Sequence, residues 1–343
     1  MISIAYDIGW GITLALKALI VLAIIPASAL ILGYVFLLKM MSHMQSRLGP
    51  MDPGGFHGWF QLIGDGVKFM QKEDLMPDQA DRRVFALAPA IVVMSTFLVF
   101  VVIPAGPRLV VANLDVGIFY ALAVSSLSVI GVLMAGWASA NKYALLGALR
   151  AAGQLIAYEL PLVLAVVGVV IQAGTMSLQG IVYAQRDGDI FGWGGIGNPY
   201  ILTQFIGFAL FMVAAQAELT QPPFDMPVAE SELVGGYTVE YTGFRFLFFF
   251  IGEFGTAMAF AALAATLFLG GWSIPWVSDT GMSDFLGIGV LFAKAMFVAF
   301  LMFWARFTYP RLREDQLQAL AWKWLIPIAL INILVTGFFK VAF

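Results

Sequence analysis

Eight apolar windows, at roughly residues 11–38, 83–105, 114–136, 155–173, 200–217, 244–270, 286–305 and 323–341, occupy most of this 343-residue chain. A bilayer is crossed by a helix of about 20 apolar residues, and these windows have about that length. In hydrocarbon every backbone N–H and C=O must find a partner within the protein, which leaves helices or a closed barrel. The windows are continuously apolar and about twice the length of a barrel strand, so they predict helices. The expected fold is an all-α polytopic membrane bundle of about eight transmembrane helices, forming one domain over residues 1–343. Composition agrees: 61% of residues are hydrophobic and 11% charged, against roughly 25% charged in soluble domains.

The few charges are unevenly placed. Lys39, Arg47, Lys68, Lys72, Arg82, Arg83, Lys142, Arg150, Arg245, Arg306, Arg311, Arg313 and Lys323 fall in one set of loops, and only Arg108, Arg186 and Lys340 in the other. Basic loops face the cytoplasm, which puts both termini outside and the 39–82 and 217–243 loops inside. The first window lacks a basic leader and a small-residue cleavage site, and is expected to be a permanent span. Within the first of those loops, GWFQLIGDGVKFMQKED sets Trp59, Ile63, Val67 and Met70 on one helical face and Gln61, Asp65, Lys68 and Lys72 on the other. It is too short to cross and reads as a cytoplasmic amphipathic helix at the membrane interface, an anchor being its simplest role.

Some chemistry is excluded. The chain has no cysteine, so it offers no thiolate for an iron–sulfur cluster, and a redox centre must sit on another subunit or arrive as a diffusible molecule. His43 and His57 lack metal-ligand spacing. GWGGIG at 192–197 follows no strand and reads as a turn outside the membrane. No phosphate-binding loop, nucleophile elbow or nucleic-acid surface is present.

The ionisable residues within or beside spans are Lys17, Glu159, Glu253 and Lys294. Such residues face the protein interior or water. Lys17 has a stem long enough to snorkel, and a structural role is expected for it. Glu159 has a short stem, and partial desolvation makes a carboxyl hold its proton more readily, as a relay requires. The loop AELTQPPFDMPVAESELVGGYTVEY adds Glu218, Asp225, Glu230, Glu232 and Glu240. A solvated acidic face is the plain reading. Yet Pro222, Pro223 and Pro227 stiffen the backbone around Asp225. This suggests a packed loop whose carboxyls share protons as a coupled set, open to the influence of a reduced carrier nearby.

That loop resembles the signature of the NADH dehydrogenase subunit 1 family, the H subunit of the proton-pumping NADH:quinone oxidoreductase, respiratory complex I. MQSRLGP with GDGVKFMQKED, GQLIAYELPLVL, FRFLFFFIGEF and WARFTYPRLREDQLQALAWKWLIP agree in the same order, over essentially the whole chain. The resemblance implies a subunit at the junction of the membrane and hydrophilic arms that frames a quinone tunnel. Quinone is then the substrate, nothing is bound covalently, and the iron–sulfur clusters lie on hydrophilic-arm partners, with proton-pumping subunits on the membrane side. It implies a proton channel of Glu159, Glu218, Asp225, Glu230, Glu232, Glu240 and Glu253, and a tunnel or junction lined by Arg47, Asp65, Lys68, Phe224, Arg306, Arg311 and Asp315. The chain departs from the family pattern at Leu37 and Leu38, where Glu-Arg precedes the lysine, and at Met51, Gln221 and Val228, where Asn, Arg and Glu are usual. Homologous subunits of membrane-bound hydrogenases and formate hydrogenlyases, which use no quinone, are the alternative. A secondary transporter would instead show broken helices at the midplane and an inverted repeat.

Overall fold

The computed structural model describes residues 2–188, 197–274 and 284–342, and all regular elements among them are helical. Residues 192–196 of the expected GWGGIG turn lie outside the described residues.

Among the described residues, seven helices are long and apolar enough to cross a membrane. The first, α1 (Ile2–Leu32), continues through a π-helical segment, Gly33–Met40, into Met41–Met44. After the interfacial α2 (Gln61–Gln71) come α3 (Arg82–Phe100), α4 (Gly117–Ala138) and α5 (Lys142–Ala173). The short α6 (Leu178–Asp187) and α7 (Phe205–Glu218) precede α8 (Gly243–Phe268), α9 (Asp284–Thr308) and α10 (Glu314–Ala342). The fifth window is the exception to the expected eight. It divides at Gln204 into a single turn, Tyr200–Thr203, and α7, which at 14 residues is short for a span.

At the break, Gln204 leaves helical geometry at φ −118° and ψ 39°, and its side chain bonds another element. Its Nε2 donates to Thr336 Oγ1 at 2.7 Å, and its Oε1 accepts from Asn332 Nδ2 at 2.9 Å. These buried bonds fasten α10 to the bundle where apolar packing alone offers little preference over lipid.

At the centre stands α8. From Phe254 to Phe268 nearly every side chain is buried, six of them alanines that let neighbouring backbones approach. It packs against α1, α3 and α9, with α6 and α7 beyond. Lys294 of α9 closes its C-terminus by donating to the carbonyls of Leu269 and Ser273, both at 2.7 Å, the placement a helix end favours for a cation. Lys17 donates to Val111 O at 3.2 Å, so the structural role expected for it fits.

The longest run of purely α-helical geometry among the described residues is α5. Its 32 residues extend about 48 Å, against a hydrocarbon core of about 30 Å. About three turns therefore project beyond the membrane. The sequence places the start of this span near residue 155, whereas Asn141 caps the helix with Oδ1 2.8 Å from Tyr143 N. The projecting turns, with Arg150 and Gln154, form the wall on which the acidic loop rests.

Candidate functional site

The acidic loop is held on α5 by close backbone approach. A Cβ on Gly147 would lie 2.7 Å from Gly236 Cα and 2.8 Å from Pro227 O, so only glycine admits the loop here. Gly236 itself has φ +57°, and its missing side chain would overlap the Pro227 carbonyl. Gln154 then staples the loop's first turn, donating from Nε2 to Ala217 O and Phe224 O, each at 2.7 Å. The Pro222–Pro223 bond is cis. Leu312 N–H donates to Pro223 O at 2.9 Å, which lays the 309–313 segment along the PPFDMP turn.

This scaffold sorts the predicted acids into separate places. Glu218, buried at the end of α7, has Glu159 of α5 as its charged neighbour. Its Oε2 is buried without a hydrogen-bond partner among the described residues. Glu253 of α8 accepts from Gln221 Nε2 at 3.2 Å and pairs with Arg306 Nη1 at 3.6 Å. Gln221 thus serves Glu253 as a neutral donor. The Arg306 guanidinium lies over Phe254, Phe303 and Phe307, about 6 Å from each ring centre.

Asp225 lies between these buried groups and the surface. Burial raises its carboxyl above the usual aspartate range, opposed by the backbone N–H groups of Ala229 and Val228 and by the charges of Arg311 and Arg306. Tyr237 is held well above the ordinary phenol value, first by burial and then by the charges of Glu253 and Asp225.

Glu232 is different. Half-exposed, it receives Arg150 Nη1 at 2.6 Å and Arg311 Nη2 at 3.0 Å. These bonds hold its carboxyl below the ordinary glutamate range, that to Arg150 contributing most. Arg150 also reaches Glu314 Oε2 at 3.8 Å. Ion pairs thus join Glu253 to Arg306 and link Arg311, Glu232, Arg150 and Glu314 in turn, and Asp225 feels the charges of both Arg306 and Arg311. Glu240 stands apart, accepting from Asn141 Nδ2 at 2.5 Å beside a shallow cavity of about 380 Å³ between residues 77–79 and 139–143. The Glu230 side chain lies outside the described part of the structure.

The other expected site residues divide similarly. Arg47 is exposed and donates to Gln45 Oε1 at 2.8 Å, and Asp65 pairs with Lys68 at 3.5 Å on α2. Asp315 is exposed and binds Arg313 through two contacts of 2.6 Å. Phe224, expected at a tunnel wall, is 4% exposed and packed on Tyr158. The face that α2 turns to the bundle carries Leu62, against Gly33, and Phe69, against Phe246. Trp59, Ile63, Val67 and Met70 are exposed on this chain. Arg150 and Glu314 were missed by sequence reasoning, since a basic loop position and an acidic helix start carry no distinguishing signal.

A multi-pass helical membrane protein with a line of acids and arginines entering from one end defines the class. Residues 16–337 match the family model described as NADH dehydrogenase. The NADH-quinone oxidoreductase H subunit of Brevibacillus brevis is 45% identical over 96% of this chain and 94% of its own length. That of Anoxybacillus flavithermus is 43% identical over 100% and 96%, and the second such H subunit of Syntrophobacter fumaroxidans is 46% identical over 95% of each. The chain belongs to the NADH dehydrogenase family of membrane subunits.

Proposed function

We propose that this chain is the membrane subunit of a proton-translocating NADH:quinone oxidoreductase. In it, the chain frames a quinone tunnel and carries a carboxylate channel that couples quinone reduction to proton movement. The observation that carries this reading is two pairs of neighbouring acids, buried Glu218 with half-buried Glu159 and half-buried Asp225 with half-buried Glu253, reached from the surface through arginine-bridged Glu232. Two carboxyls in one desolvated site act as a single proton-holding unit, because both cannot be charged together. Such units store and release a proton when a nearby charge changes, which is the event quinone reduction supplies. Relatives named as the H subunit of NADH-quinone oxidoreductase support the substrate class and the multisubunit setting.

The redox centres belong to hydrophilic partners. This chain's part is to bind the quinone tail, exclude water and hold protons. The exposed apolar face of α2, with Arg47 before it, suits the tail's access route from the lipid. The basic end of the bundle faces the cytoplasm, where the hydrophilic arm docks, while the inner membrane surrounds the spans.

The test is purification of the tagged chain with its partners in mild detergent, followed by quinone reduction and, in vesicles, proton uptake. Iron–sulfur partners with inhibitor-sensitive quinone reduction are expected. A nickel-containing partner that evolves hydrogen without quinone would overturn the reading. In the same complex, Glu218→Gln and Glu253→Gln should each lower pumping at least tenfold. Normal turnover with normal pumping in both would remove the channel.

A further inference from the structure

The guanidinium of Arg311 is bonded to one acid and lies beside the segment that carries another. It bonds Glu232 at 3.0 Å and lies 3.5 Å from Ser231 Oγ, both on the outer side of the loop. The same group is 4.0 Å from Met226 Sδ, the residue after Asp225, and its segment is tied to the loop by the Leu312 N–H to Pro223 O bond. Glu232 is bonded to this guanidinium, whereas Asp225 feels its charge without a direct bond, so a movement of Arg311 toward Glu232 lowers the countercharge at Asp225.

We propose that Arg311 is a positioning cation for which half-buried Asp225 and half-exposed Glu232 compete, so that the pairing of Glu232 sets the charge held at Asp225. This deepens the coupling reading above and rests on it. Glu232 has its own second partner in Arg150, which Glu314 draws from the other side at 3.8 Å. The exposed end of the line, at Glu314, Arg150 and Glu232, is where a partner protein or a moving loop can act. An acid brought to Arg150 weakens its hold on Glu232, Glu232 then draws Arg311 more strongly, and Asp225 loses countercharge and takes a proton. A cation brought to Glu232 has the opposite effect. Arg311 touches no reacting atom in this account and acts only through the two acids.

The groups facing Asp225 among the described residues are Arg311 from the 309–313 segment, Arg306 from α9, Glu253 from α8, Tyr237 from the turn after the loop, and the backbone N–H groups of Val228 and Ala229. Of these, Arg311 alone is shared with Glu232. Competition therefore makes a prediction of sign that simple structural support does not.

The experiment uses the intact complex in vesicles and reads the pH profile of proton pumping per quinone reduced. The limb that disappears in Asp225→Asn, or moves in the charge-retaining Asp225→Glu if the former does not assemble, is assigned to Asp225. Glu232→Gln should shift that limb toward acid by about one pH unit, because Arg311 is freed for Asp225. Arg311→Gln should shift it toward alkali by a similar amount, and Arg311→Lys should restore most of the original position. Shifts in the same direction for Glu232→Gln and Arg311→Gln, or no shift in either, would overturn the proposal while leaving quinone reduction by the complex intact. Absence of quinone reduction in the unmodified complex would instead overturn the function on which it rests.

Discussion

Asp225 and Glu232 lie seven positions apart in one loop and titrate in opposite directions from their usual values. Burial raises Asp225. Its cost to loop docking is therefore absent at low pH and grows as pH rises through the interval between the usual aspartate range and the raised value. Glu232 is lowered by Arg150 and Arg311, so its contribution is present above the ordinary glutamate range and fades as pH falls through the lowered value. Protease cleavage of the 228–235 segment should thus stay slow at pH 5 and accelerate only below about pH 4, near and under the reference value. Glu232→Gln should remove that acid-side change. Gly236→Ala should free the loop at every pH, because its Cβ would overlap the Pro227 carbonyl at φ +57°; a loss of about 2–3 kcal/mol is expected. Phe224→Ala should cost about 3 kcal/mol through the cavity left beside Tyr158, seen as a lower melting point. The types of these residues were legible in the sequence. Their separation into buried pairs and an exposed clasp was not, because it depends on arginines 79–82 residues away in the chain.

At the scale of elements, α5 shows where hydropathy is silent. An apolar window marks only the part of a helix in lipid, so the turns carrying Lys142 and Arg150 read as loop. Ala144, Ala148, Ala151 and Leu155 nevertheless recur at helical spacing and are buried. The reverse holds for the fifth window, where continuous apolarity concealed the break at Gln204, whose side chain bonds α10. Asn332→Leu should loosen α10 by about 0.6 kcal/mol, the usual worth of a hydrogen bond between membrane helices. Gln204→Leu in addition should cost less than the two changes summed, which a double-mutant cycle in thermal inactivation measures. For α2, amphipathicity was evident, but which apolar residues meet the bundle was not. Leu62 and Phe69 do, leaving the face with Trp59 and Met70 outward. Loss of Arg47 beside it should slow long-tailed quinones more than short ones; equal slowing would argue against tail passage there.

For the whole molecule, the all-helical architecture and nearly the full count of spans were legible in the sequence, because the bilayer permits so few alternatives. Sidedness rests on the arginine and lysine asymmetry. A chain without cysteine makes it simple to test: in oriented vesicles an impermeant maleimide should label Lys142→Cys only from the cytoplasmic side and Arg108→Cys only from the other. Inversion of that pattern would reverse the topology. Burial also differs sharply between helices. The apolar window of α8 is 61% buried within this chain and that of α10 only 22%. Over generations, then, the chain should drift unevenly. The outward face of α10 can exchange one oily residue for another freely, or be reshaped to suit a new neighbour. The alanine run of α8 is enclosed on all sides, and change there would require simultaneous replacements in several surrounding helices.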